Sequence, residues 1–117
     1  MRAAPRRRGL LAVLALCGAA AACSKAQPMD GRQAALAAGC GACHDIPGIT
    51  GARGGVGPSL RSVGRRVYLA GVLPNTPANM ALWIARPQSV LPGNAMPDTG
   101  LSKDQANALA GYLESLD

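Results

Sequence analysis

The stretch GCGACHDIPG, residues 39–48, places Cys40 and Cys43 three apart, with His44 directly after the second. In a helical turn, residues at i, i+3 and i+4 share a face, so both thiols and the imidazole can be turned toward one flat object. C-x-x-C-H is the signature of covalent haem c attachment, in which the thiols form thioethers with the haem vinyl groups and the adjacent imidazole reaches the iron. A thiol-disulfide pair expects a βαβ setting, which this chain lacks, and leaves His44 without a role. A structural zinc needs four ligands, commonly in two separated pairs. Beyond residue 28 the chain has no Cys or His other than these three. The expected cofactor is one covalent haem c.

N-terminal to this motif, residues 1–22 read as a secretory signal. Arg2, Arg6, Arg7 and Arg8 precede a charge-free run of 14 residues, Gly9 to Ala22, rich in Leu and Ala and ending in small residues. That run falls short of the roughly 20 apolar residues a helix needs to span a bilayer. The sequence A-A-A-C-S, residues 20–24, resembles a bacterial lipoprotein signal, which implies Cys23 as an acylated lipid anchor, although Ala20 stands where such signals usually carry Leu. Residues 23–28 form a short polar linker, and residues 29–117 one domain.

Removing the leader changes the charge. The whole chain has formal charge +6, but from Met29 onward seven basic residues face six acids. Nucleic-acid binding loses its electrostatic footprint, and no strong electrostatic docking is expected. The domain contains no Phe, one Trp and two Tyr. A domain of this size sits near the lower edge of self-sufficiency, and a tethered haem supplies the apolar slab that its core lacks.

The fold class read from the chain is all-α with long loops. Asp30 with Gln33 forms a capping box opening an Ala-rich helix to Ala38, closed by Gly39 and Gly41. Residues 47–58 hold five glycines and two prolines, a loop whose backbone can come close to a bulky group. Its GARGGVG fragment lacks the Lys and Ser/Thr of a P-loop. Thr76 and Pro77 start a helix to about Ala85, stopped by Pro87, with Met80, Trp83 and Ile84 on one face. Ser102 with Gln105 opens a last helix, whose Ala106, Leu109, Ala110, Leu113 and Leu116 keep helical spacing. No strand alternation is visible.

An iron held by His44 alone leaves one position open, and methionine is the usual filler. Met29 adjoins the leader, and Met80 on its helical face reads as core packing beside Trp83. Met96 lies in the extended loop LPGNAMPD, 52 residues after His44, where a thioether can be laid over the second haem face. It is the expected axial ligand. The competing function is a haem protein with an exchangeable sixth ligand, peroxidase-like or gas-binding; Met96 argues against it.

With these motifs in order, the chain resembles the class I cytochromes c from Asp30 to Leu116: Cys40–His44 match the attachment motif, Gly57-Pro58-Ser59-Leu60 the G-P-x-L segment, and Met96-Pro97 the methionine loop. Residues 73–101 resemble, more narrowly, the cytochrome domain of haem-copper oxidase subunit II. The resemblance implies three to five short helices wrapped around the haem, and a single-electron carrier rather than an enzyme. It gives the carbonyl of Pro58 as acceptor for the His44 Nδ1 proton. It also implies redox protein partners, with a haem-copper oxidase or a quinol-oxidising complex as candidates, and residence in the periplasm or on the outer face of the cytoplasmic membrane. Buried propionates need donors; Trp83 is a candidate, with plain core packing as its alternative, and Arg53, Arg65 and Arg86 are the candidate cations. One departure is visible. Many class I cytochromes pack an aromatic of the first helix on the last, whereas this first helix offers Leu36 and alanines opposite Tyr112.

Overall fold

The computed structural model describes residues 28–117; residues 1–22, read as a signal, and Cys23, read as a lipid anchor, lie outside the described residues. Helix α1 spans Gly31–Ala37, α2 Pro77–Ala85, α3 Pro87–Val90 and α4 Lys103–Glu114. Two 3-10 turns, Cys40–Ala42 and Val63–Arg65, lie between α1 and α2. The first and last helices begin on reciprocal capping boxes. The Asp30 carboxylate accepts from the Gln33 N–H at 2.8 Å while the Gln33 amide oxygen accepts from the Asp30 N–H at 3.2 Å. Ser102 and Gln105 repeat the exchange at 3.3 and 2.9 Å. Each box satisfies donors that a helix start leaves without partners.

Helix α1 packs on α4 through small residues. Gly31, Ala34 and Ala35 are buried on one side, and Ala106, Leu109, Ala110 and Leu113 on the other. A Cβ on Gly31 would collide with the Ala108 carbonyl oxygen and with Cβ of Tyr112. Leu36, the one bulky candidate for this contact, is 61% exposed. The seam is therefore closer than an aromatic would permit, and the Tyr112 hydroxyl is free to donate to the Pro47 carbonyl instead. Helix α2 lies against α4 as well, burying Met80, Ala81 and Ile84, while Trp83 is half-buried at the edge of this core.

Two details depart from the sequence reading. Pro87 ends α2 but also opens α3 at its first position, where its missing N–H costs nothing; Arg86, with φ −140° and ψ 62°, is the joint between them. A two-residue antiparallel ladder pairs Tyr68–Leu69 (β1) with Leu73–Pro74 (β2). It is closed by Ala70 and Gly71 at φ 51° and 73°, the positive pair that matches a hairpin's twist. Strands of two residues are too short to show alternation in a sequence. Asn75 ties this hairpin down by donating to the carbonyls of Val63 and Arg66 at 3.1 and 2.8 Å. No helix among the described residues is long and apolar enough to cross a membrane.

The seam makes two glycines behave oppositely. Gly31→Ala overpacks α1 against α4 and should cost about 1–3 kcal/mol, read as a fall in thermal midpoint of roughly 4–8 °C per kcal/mol. Gly111→Ala, in α4 with no atom within 4 Å of the added methyl, should gain about 0.5–1 kcal/mol. Thermal unfolding followed by circular dichroism checks the order; equal midpoints would mean the seam is not close-packed.

Candidate functional site

The attachment motif is built by a tight turn at the end of α1. Gly39 takes φ 70°, a left-handed conformation suited to the residue after a helix, and turns the chain into the 3-10 turn Cys40–Ala42. The Cys40 carbonyl then accepts from both the Cys43 and the His44 N–H, at 3.2 and 3.0 Å. This doubled bond sets the two thiols and the imidazole along one wall of a cavity of about 430 Å³. The Cys40 thiol is half-buried, and burial pushes its pKa up.

The glycine-rich loop folds back onto the motif rather than around a phosphate. Gly54 N–H bonds the carbonyls of Gly41 and His44, each at 3.1 Å, and Gly57 N–H bonds Cys43 at 2.7 Å. Gly57 lies so close to the His44 ring that a Cβ there would sit 2.5 Å from Cε1 and 2.8 Å from Nδ1. Beyond it, the Pro58 carbonyl is 2.7 Å from His44 Nδ1. A carbonyl can only accept, so Nδ1 carries the proton and Nε2 is left with its lone pair for a metal.

Asp45 pins this segment from the other side. Its backbone carbonyl accepts from Leu60 N–H at 2.8 Å, and its carboxylate accepts from Ser59 Oγ at 3.0 Å and Arg61 Nε at 2.7 Å. The Arg61 and Ser59 hydrogen bonds, Arg61 first, hold the Asp45 carboxyl below its ordinary range. Gly57 and Leu60, on either side of Pro58, are thus bonded to the residues on either side of His44. The sequence gives no sign of this clamp, since Asp45, Ser59 and Arg61 are ordinary loop residues until the fold brings them together.

The loop from Leu91 to Thr99 lines the same cavity. Leu91, Asn94, Ala95, Met96, Pro97 and Thr99 all face it, together with Met80, Trp83, Ile84, Leu109 and Leu113 from α2 and α4. The sequence-predicted residues Cys40, Cys43, His44, Pro58, Trp83 and Met96 are therefore brought to one space. One correction applies. Arg53, Arg65 and Arg86 do not line it, whereas Arg66, directly after the 3-10 turn Val63–Arg65, does. Met80, 2% exposed in the core, also lines the cavity, as packing on α2 predicts.

These walls fit a covalent haem: the lining is mostly apolar, two thiols stand on one side, and a glycine leaves room for the imidazole. Such a fold and site define a small helical haem c module. The family profile described as Cytochrome c matches residues 28–117. The chain is 39% identical to cytochrome c oxidase subunit 2 of Alkalihalophilus pseudofirmus over 88 residues, which cover 74% of this chain and 25% of that one. It is 36% identical to the same subunit of Bacillus sp. strain PS3 over 81 residues, covering 66% and 23%. The chain thus spans about a quarter of the length of these relatives. It belongs to the cytochrome c family, an electron-transfer family whose members hold haem c covalently, and Cys40 and Cys43 stand in the motif for it.

Because the Gly57 methylene is what admits the imidazole, Gly57→Ala should displace His44 from Pro58 at a cost of about 1–3 kcal/mol. The expected result is a lower thermal midpoint of the holoprotein, with fast exchange of the Nδ1 proton by nuclear magnetic resonance. An unchanged Nδ1 signal would show that the ring does not depend on this contact.

Proposed function

We propose that this chain is a single-electron carrier whose haem c is bonded to Cys40 and Cys43 and ligated by His44 and Met96. The observation that carries the reading is that one mostly apolar cavity receives Cys40, Cys43 and His44 on the motif side and the Met96 loop as well. The haem supplies an iron that gains and loses one electron; the chain supplies everything that keeps this simple. His44 offers a neutral imidazole oriented by Pro58, and Met96 a neutral thioether, a pair that raises the potential relative to more donating ligands. Both ligands come from backbone segments held by hydrogen bonds, so little has to move when an electron arrives. The apolar lining excludes water. Trp83 and Arg66, both facing the cavity, are the donors available to the haem propionates.

The oxidase subunits it resembles favour service in a membrane respiratory chain, with a haem-copper oxidase or a quinol-oxidising complex as partner. Electron-transfer encounters of this kind bury less than about 1,200 Å². A lipid on Cys23 would raise the effective concentration at the periplasmic face of the membrane, offsetting the weak docking expected of a nearly neutral protein.

The methionine assignment is tested by a pair of substitutions. The ferric wild type should show the weak near-infrared band of sulfur-to-iron charge transfer, and the ferrous form should refuse carbon monoxide. Met96→Leu should abolish the band, admit carbon monoxide and lower the reduction potential, while Met80→Leu keeps the band. The reverse pattern would transfer the role to Met80. Rapid carbon monoxide binding by the wild type would favour a gas-binding or peroxidase-like protein.

A further inference from the structure

The loop that carries Met96 has no ladder of its own. Its backbone groups are taken up by side chains, and two of these account for the methionine itself. Met96 N–H donates to Asn94 Oδ1 at 2.8 Å, and the Met96 carbonyl accepts from Gln88 Nε2 at 2.8 Å. The second proton on Gln88 Nε2 goes to the Asn94 carbonyl at 2.8 Å, and Gln88 Oε1 accepts from Gly93 N–H at 3.0 Å. Asn94 in turn donates from Nδ2 to the carbonyls of Leu91 and Pro87 at 2.7 and 3.1 Å. Gln88 sits on α3 just after Pro87, one of the largest fully buried side chains, so this network hangs from a fixed point. Asp98 adds its carboxylate to the Gln88 backbone N–H at 3.1 Å, and Thr99 fastens the loop's far end to the carbonyls of Ile84 and Ala85.

We infer that Gln88, acting with Asn94, is the positioning residue that holds the Met96 sulfur in place and so sets how readily the sixth ligand is exchanged. The inference rests on the proposed ligation by Met96. Both N–H donors of the Gln88 amide, and one of the two lone pairs on its oxygen, are spent within the loop: the donors on carbonyls, the oxygen on an N–H. Truncating it leaves the Asn94 and Met96 carbonyls without these donors, and only the Asn94 bond to the Pro87 carbonyl and the Asp98 bond to the Gln88 N–H still tie the loop to α3. Water can then compete for the freed groups, and a loop that opens more often releases its thioether more often. Met96 itself is only half-buried, so packing alone does not fix it.

The test is the rate at which ferric holoprotein exchanges its sixth ligand for added imidazole, with the near-infrared band as the signature of bound sulfur. Three variants are compared with the wild type. Gln88→Ala removes the amide; Gln88→Glu keeps an acceptor for Gly93 N–H but loses both donors. Asp30→Ala weakens the remote α1 cap and controls for general destabilisation. Loss of the two loop bonds should speed exchange by roughly 10- to 100-fold in both Gln88 variants, and the band should fade on warming well below the unfolding transition. Asp30→Ala should unfold earlier yet exchange within about twofold of the wild type, the small change expected when remote sites act independently. Gln88 variants that exchange no faster than Asp30→Ala overturn the inference while leaving Met96 ligation standing. A wild type without the band overturns the ligation itself. Should neither Gln88 variant fold around haem, the wild type decides. The side-chain amide protons of Gln88 should exchange with solvent far more slowly than those of exposed Gln33, and equal rates overturn the inference.

Discussion

The hydrogen bond from His44 Nδ1 to the Pro58 carbonyl, 2.7 Å long, is the interaction around which the molecule is arranged. It fixes which imidazole nitrogen can face a metal. To make it, the chain must leave the cysteine motif, run through a glycine-rich loop and return within contact of the same ring. Gly57 makes room for that return, and the Asp45 carboxylate, bonded to Ser59 and Arg61, prevents the returning strand from slipping. Once the imidazole is held, the rest of the chain has one task, to close the opposite side of the cavity. Helices α2 and α4 do this with aliphatic side chains, and the Met96 loop completes the wall.

The two walls are stabilised by different physics. The motif side is a backbone structure, in which the N–H groups of Gly54 and Gly57 bond carbonyls of the motif. On the Met96 side, loop backbone is bonded to the side chains of Gln88 and Asn94, and the Thr99 hydroxyl donates to the Ile84 carbonyl of α2. Backbone-to-backbone bonds tolerate substitution of most side chains, whereas bonds to an amide side chain depend on that residue. The methionine wall is thus the one whose properties can be altered by single substitutions without disturbing the cysteine turn.

How much of this was readable in the chain follows from the range of each interaction. Both capping boxes involve residues three apart and were legible, as were the helices they open and the helical turn of Cys40, Cys43 and His44. Met96 stood out because proline and glycine mark its loop as extended. Arg66 was passed over in favour of Arg53, Arg65 and Arg86 because nothing local in the chain marks which arginine the fold brings to the cavity. Gln88 and Asn94 were not singled out from the chain, since amide-to-carbonyl bonds leave no periodic trace. Leu36 was expected near the α1–α4 contact on size alone. The fold uses Gly31 there instead, because the backbone of α4 comes too near for any side chain.

That seam joins the first helix of the domain to the last, and α4 is the main helical packing partner of α1. A chain synthesised from its N-terminus therefore reaches the cysteine turn long before the surface that will cover α1 exists. Until α4 emerges, α1 has only a short, alanine-rich face and no reason to hold shape, since isolated helices under about 12 residues are marginal in water. The domain is thus closed from its two ends, and α1 has its helical packing partner only once the last helix is in place.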